Sequence, residues 1–160
     1  MRRMTMCLMA AVAVLLGATT QAQAQTIRLT ATLSGANETP GVLTGGAGFA
    51  EVYLNLADRS VNYRINIFNM PTRTTAGHFH VGGPGLAGPV VVDLAPPGVT
   101  DDFSLSGSAS PSSLRPRADQ GILTWDDFIQ ALAGGQVYVN IHSATNPGGE
   151  IRGQLIPDSQ

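Results

Sequence analysis

Short runs of alternating apolar and polar residues, each cut off by glycine, proline or asparagine, recur from Thr26 to Ile156 and point to a chain of antiparallel strands. In the first run Ile27, Leu29, Ala31 and Leu33 fall on one side and Arg28, Thr30, Thr32 and Ser34 on the other, as in a strand with one buried face. Turn formers from Gly35 to Gly41 end it. Ala47–Leu56 and Ser60–Phe68 flank Ala57-Asp58-Arg59, which reads as a hairpin with a three-residue connection. Further strands are expected around His78, over Pro89–Leu94 and Phe103–Ser108, and in a last hairpin of Gln136–His142 with Gly149–Ile156. Nineteen glycines and ten prolines supply the turns that so many strands require. The serine-, proline- and arginine-rich segment from Ala109 to Gln120 has no period and is expected to be a mobile surface loop. One helix is predicted: Thr124 caps it, Asp126 and Asp127 occupy its first turn, Phe128, Ile129 and Leu132 form its apolar stripe, and Gly134-Gly135 stops it. Trp125 and Phe128 are expected to dock it. The fold class is therefore all-β, about eight antiparallel strands in a sandwich or barrel with one short helix.

The first 24 residues read differently. Arg2 and Arg3 precede an apolar run from Met6 to Leu16 and then Ala22-Gln23-Ala24, the layout of a secretory signal peptide cleaved after Ala24. Arg2-Arg3 lacks the other residues of a twin-arginine signal, so general, Sec-type export to the periplasm or the medium is expected. Residues 25–160 are then a single domain. The apolar run falls short of the roughly 20 residues that span a bilayer, and no later segment approaches that length. The only cysteine, Cys7, lies in the part to be removed, which excludes a thiol nucleophile and a disulfide framework from the mature chain. Beyond residue 24 there are seven arginines, eleven acidic residues and no lysine, a balance that speaks against nucleic acid or anionic membrane as a partner.

The chemistry concentrates in three histidines. His78 and His80 are two apart, so on a strand they share a face with Cα atoms roughly 6.5 Å apart. His142 ends a second strand-like run, V-Y-V-N-I-H-S. Both runs lead into glycine-rich stretches. Two strands can thus bring three imidazoles to one point, a site suited to copper or zinc because neutral imidazole serves both and no thiolate competes. The alternative is that the rings pack and hydrogen-bond beneath the loops. Protons compete for imidazole, so metal retention is expected to weaken as the pH falls through about 6. Arg152, in the last hairpin, is expected near His142, either steering an anion or paired with an acid. Glu38, in the first turn region, is expected in a structural role or as a carboxylate ligand. Gly82-Gly83-Pro84-Gly85 lacks the spacing and the lysine of a phosphate loop. Ser143 adjoins His142 only in sequence, which is no sign of a nucleophile–base pair.

Four stretches, L-S-G-A-N-E-T-P, A-G-H-F-H-V-G-G-P-G-L-A-G-P-V-V, G-I-L-T-W-D-D and G-G-Q-V-Y-V-N-I-H-S-A-T-N-P-G-G-E-I-R-G-Q-L, together resemble the CHRD domain, a module named after chordin that also occurs in exported bacterial proteins. The resemblance covers Thr26 to Ile156. It implies an immunoglobulin-like barrel or sandwich and an exported setting, and it carries no agreed reaction. A more distant similarity is to copper-zinc superoxide dismutases, Greek-key barrels in which a His-x-His strand and a later strand supply copper ligands and an arginine meets the substrate anion. By position His78, His80, His142 and Arg152 correspond to those parts. The bridging histidine, the zinc-binding set and the cysteine pair are missing, so only a mononuclear three-histidine site carries over. The expected function is a non-catalytic binding module for an unknown protein or small molecule. A copper-dependent dismutase-like enzyme and a structural or adhesive envelope module are the alternatives.

Overall fold

The computed structural model describes residues 25–158; the expected signal peptide, with Cys7, lies outside them. β1 (Thr26–Ser34), β2 (Ala47–Asn55) and β3 (Val61–Met70) form an antiparallel meander, with Thr26 opposite Asn55 and Ser34 opposite Ala47. β4 (Thr74–Val81) pairs with β5 (Val90–Leu94) on one side and β7 (Val137–Ser143) on the other. β6 (Asp101–Ala109) returns to β3, and β8 (Ile151–Gln154) joins β7 to β1. A two-residue β9 (Ile156–Pro157) also pairs with β1. The order β5-β4-β7-β8-β1-β2-β3-β6 curls into a nearly closed antiparallel barrel, as the alternating pattern implies.

The barrel's gap lies between β5 and β6. After β6 the chain passes through a 3₁₀ turn at Pro111–Ser113 and lays Leu114 against Val92 of β5, with the Arg115 N–H donating to the Val91 carbonyl at 2.8 Å. The segment expected as a mobile loop is thus pinned to the open edge. Backbone groups of an edge strand that would otherwise lack partners account for this.

Inside, Leu29, Leu33, Val52, Leu54, Ile65, Ile67, Val139, Ile141 and Ile151 are fully buried. Helix α1 (Trp125–Ala133) closes one side of this core. Thr124 Oγ1 accepts from the Asp127 N–H at 3.2 Å while Asp127 Oδ2 accepts from the Thr124 N–H at 2.7 Å, a reciprocal cap. Phe128 stacks on Phe79 with ring centres 6.5 Å apart, and Trp125 Nε1 donates to the Arg59 carbonyl at 2.8 Å. That bond holds the β2–β3 turn, where Arg59 takes the left-handed conformation with φ 60°.

Burial is not the same all round the barrel. On β2 the outward residues Phe49 and Tyr53 are exposed, as a one-faced sheet requires, but every residue of β7 is buried on both faces. Three loops, 35–46, 82–89 and 144–149, contribute the cover over the outer face of β4, β7 and β8. The histidines lie beneath them.

Candidate metal centre

Phe79 points into the core, so His78 and His80 project outward from β4. On β7 the outward residues are Tyr138, Asn140 and His142, because Val139 and Ile141 face the core. Register places Tyr138 opposite His80 and Asn140 opposite His78. The three histidines that the sequence singled out therefore meet, and one nitrogen from each lies within 4.8 Å of the other two.

The loops decide which nitrogen each ring presents. His80 Nδ1 lies 2.8 Å from the Gly88 carbonyl and His142 Nδ1 lies 2.9 Å from the Pro147 carbonyl. A carbonyl only accepts, so each Nδ1 carries the proton and each Nε2 keeps its lone pair. His78 Nδ1 lies 2.9 Å from His142 Nε2, to which it donates when no metal intervenes. His80 Nε2 is buried and has no hydrogen-bond partner. A histidine serving only to fasten a loop would satisfy both nitrogens, since a buried lone pair left bare costs about 1–3 kcal/mol. Metal bonds near 2 Å require ligand nitrogens about 3 to 4 Å apart, so the widest separation, 4.8 Å, would close by roughly 1 Å on binding. The residues fit a metal: three neutral imidazoles, two of them oriented by carbonyls in the manner of metal-ligating histidines.

The loops are fixed in turn. Gly82 N–H donates to the Gln136 carbonyl at 2.8 Å, and the Tyr138 hydroxyl both accepts from the Gly88 N–H at 3.0 Å and donates to the Gly88 carbonyl at 3.2 Å. Gly88 passes so close to β4 that a Cβ there would lie 1.7 Å from the Val81 carbonyl oxygen, so only glycine fits. In the 144–149 loop, Ser143 Oγ and Asn146 Nδ2 donate to Glu150 Oε2 at 2.6 and 2.7 Å.

Arg152 stands opposite Asn140, two residues along β7 from His142 and on the same outward face. It is 3 % exposed, with its guanidinium carbon 3.5 Å from the centre of the Tyr138 ring, and His80 stacks on the same tyrosine at 4.9 Å. Its Nη2 donates to the carbonyls of Gly83 at 3.1 Å and Leu86 at 2.8 Å, and its Nη1 to Thr39 Oγ1 at 3.4 Å. It forms no ion pair among the described residues. Glu38 lies over β7, where its Oε2 accepts from Asn140 Nδ2 at 3.3 Å. Glu38 and Arg152 line a cavity of about 400 Å³ together with Asn37, Thr39 and Gln154.

The model of the CHRD domain matches residues 29–155, most of the chain, from within β1 to beyond β8. The chain belongs to the CHRD domain family. No curated protein and no solved structure matches it. Within this CHRD domain the sequence foresaw the three histidines but not Tyr138, Asn140 and the carbonyls of Gly88 and Pro147. Tyr138 and Asn140 were readable, because V-Y-V-N-I-H places them on the face of His142. The carbonyls belong to the backbone and leave no trace in side-chain identity.

Burial lowers the pKa of all three histidines, that of His80 to about 4, with the neighbouring His142 adding to the effect on His78. Burial also raises Glu38 to about 7, against the opposing pull of Arg152 and the Asn140 hydrogen bond. These shifts act on stability in opposite senses. Between about 4 and the ordinary 6.5 of histidine, the unfolded chain binds the His80 proton and the native domain does not, so stability rises with pH. Between the ordinary carboxyl range and about 7, the native domain holds the Glu38 proton and the unfolded chain does not, so stability falls with pH. In the metal-free CHRD domain Glu38 therefore offsets part of the rise in stability with pH that the three histidines produce. Glu38→Gln should reveal a rise in denaturation midpoint from pH 4.5 to 6.5, and it should be at least as stable as the wild type at pH 8. A variant whose pH profile matches the wild type would refute this assignment of Glu38. The same burial moves proton competition for a metal below the pH of about 6 set by free imidazole.

Proposed function

We propose that the protein is an exported CHRD-domain binding module, without catalysis of its own, that carries one metal ion, copper or zinc, on His78, His80 and His142. The observation that carries the metal reading is the bare, buried His80 Nε2 aimed at the other two rings. His78, His80 and His142 would hold the metal, which would supply a Lewis-acidic centre there. The chain's own groups do the rest: Gly88 and Pro147 hold the protons of His80 and His142 away from the focus, and Tyr138 keeps Gly88 in place.

The disposition of Arg152 supports the non-catalytic reading. Its Nη2 is given over to loop carbonyls, so it holds the glycine loop over His80 instead of extending toward an incoming anion. The polar cavity beside Glu38 and Arg152 has the volume of a small-molecule site, and we place a small partner there. Among the described residues no helix is long and apolar enough to cross a membrane, and the lysine-free composition offers nothing to nucleic acid. Export rests on the first 24 residues read as a signal peptide.

Metal analysis of protein purified from the exported fraction tests the reading. One equivalent of copper or zinc is expected; less than about a tenth, in protein that also fails to take up either metal in vitro, removes it. Superoxide turnover by copper-loaded protein addresses the dismutase-like alternative, and a rate no greater than that of free copper at equal concentration is expected. Cleavage after Ala24 is checked by the N-terminal sequence of the exported protein, expected to begin at Gln25.

A further inference from the structure

His80 and His142 owe their orientation to backbone carbonyls, whereas His78 has no such partner. Its Nδ1 faces the focus and its Nε2 faces β5, where Asp93 Oδ1 lies 3.6 Å away. Asp93 stands directly opposite His78 in the β4–β5 register. Its other oxygen forms an ion pair with Arg115 Nη2 at 2.5 Å, and Arg115 belongs to the segment that lies on the open edge of the barrel. Two parts of the chain distant in sequence thus place a carboxylate behind one ring.

We propose that Asp93, held by Arg115, is a positioning residue that makes Nδ1, and not Nε2, the metal-binding atom of His78. The inference rests on the metal reading above. A neutral imidazole has one proton to place. Without metal it sits on Nδ1 and is donated to His142 Nε2, and the 3.6 Å gap to Asp93 is what a bare Nε2 facing a carboxylate should show. When a metal takes the Nδ1 lone pair the proton must move to Nε2, and Asp93 is there to accept its hydrogen bond. The Asp93–Arg115 pair is about half exposed, so its influence belongs at the lower end of the 10- to 100-fold range of such supporting carboxylates.

Zinc(II) is the probe, in competition with a chromophoric chelator and with ¹⁵N-histidine spectra of the loaded protein. The wild type should bind one zinc with the His78 proton on Nε2. Asp93→Ala should bind zinc about tenfold more weakly, Asp93→Glu should recover part of the loss, and the metal-free unfolding midpoint should stay near that of the wild type. Arg115→Ala, which frees Asp93 without removing it, should weaken binding by a smaller factor. A wild type that takes up no zinc overturns both the metal reading and this inference. A wild type that binds zinc while Asp93→Ala binds equally well, or whose loaded His78 keeps its proton on Nδ1, overturns this inference alone.

Discussion

Replacing His80 by alanine should reduce copper or zinc affinity by more than about 100-fold, beyond the loss that follows from disturbing a supporting group. The substitution removes the one ligand whose lone pair is both buried and unpartnered. His142→Ala should be comparably damaging, since it too removes one of the three nitrogens that converge on the centre. The measurement is the metal-induced rise in unfolding midpoint: a ligand at 100 times its dissociation constant stabilises the wild type by about 2.7 kcal/mol, and that increment should vanish in both variants. Metal-free His80→Ala should lose less of its stability toward pH 4 than the wild type does, because a ring that resists protonation has been removed. If the variant keeps its metal and the full thermal increment, the three-histidine centre is wrong.

Phe79→Ala should cost about 3–5 kcal/mol, the range for emptying a buried aromatic site. Phe79 is fully buried, meets Tyr63 edge-on at 5.6 Å and stacks on Phe128. The lost ring therefore leaves a hole between the sheet and α1 that neither neighbour can fill from its own backbone position. For a domain of this length the unfolding midpoint should fall by roughly 10–20 °C. Phe79 also separates His78 from His80 along β4 and anchors that strand from the opposite face. Metal affinity should accordingly drop in the folded variant as well, although no ligand has changed. A denaturant-derived loss below about 1.5 kcal/mol would mean that the helix and sheet close over the gap, and that the strand is not held from within.

Much of this was readable because strands write their geometry into side chains. The alternation of Ile27, Leu29, Ala31 and Leu33 fixed the inner face of β1, and Thr124 with Asp127 marked the start of α1. The outward faces of β4 and β7 could likewise be assigned, and with them the meeting of His78, His80 and His142 once the two strands pair. What could not be read depends on contacts distant in sequence. Nothing in Ser110–Arg117 announces that Leu114 will lie on Val92, so the Asp93–Arg115 pair was invisible. The partner of Arg152 across the hairpin depends on how β7 and β8 pair, and the Gly149 end of the expected strand proved to be part of a turn.

Because Gly88 and Pro147 contribute main-chain oxygens to the centre, the spacing of the loops matters more than most of their side chains. Exposed positions such as Leu86 are open to substitution with little effect on the rings below. An inserted or deleted residue between Gly82 and Gly88 would instead carry the carbonyl away from His80 and release its imidazole, with every histidine still in place. Loss of metal from such a length variant would look in sequence like a harmless change to a surface loop, and only counting residues along the loop would reveal its cause.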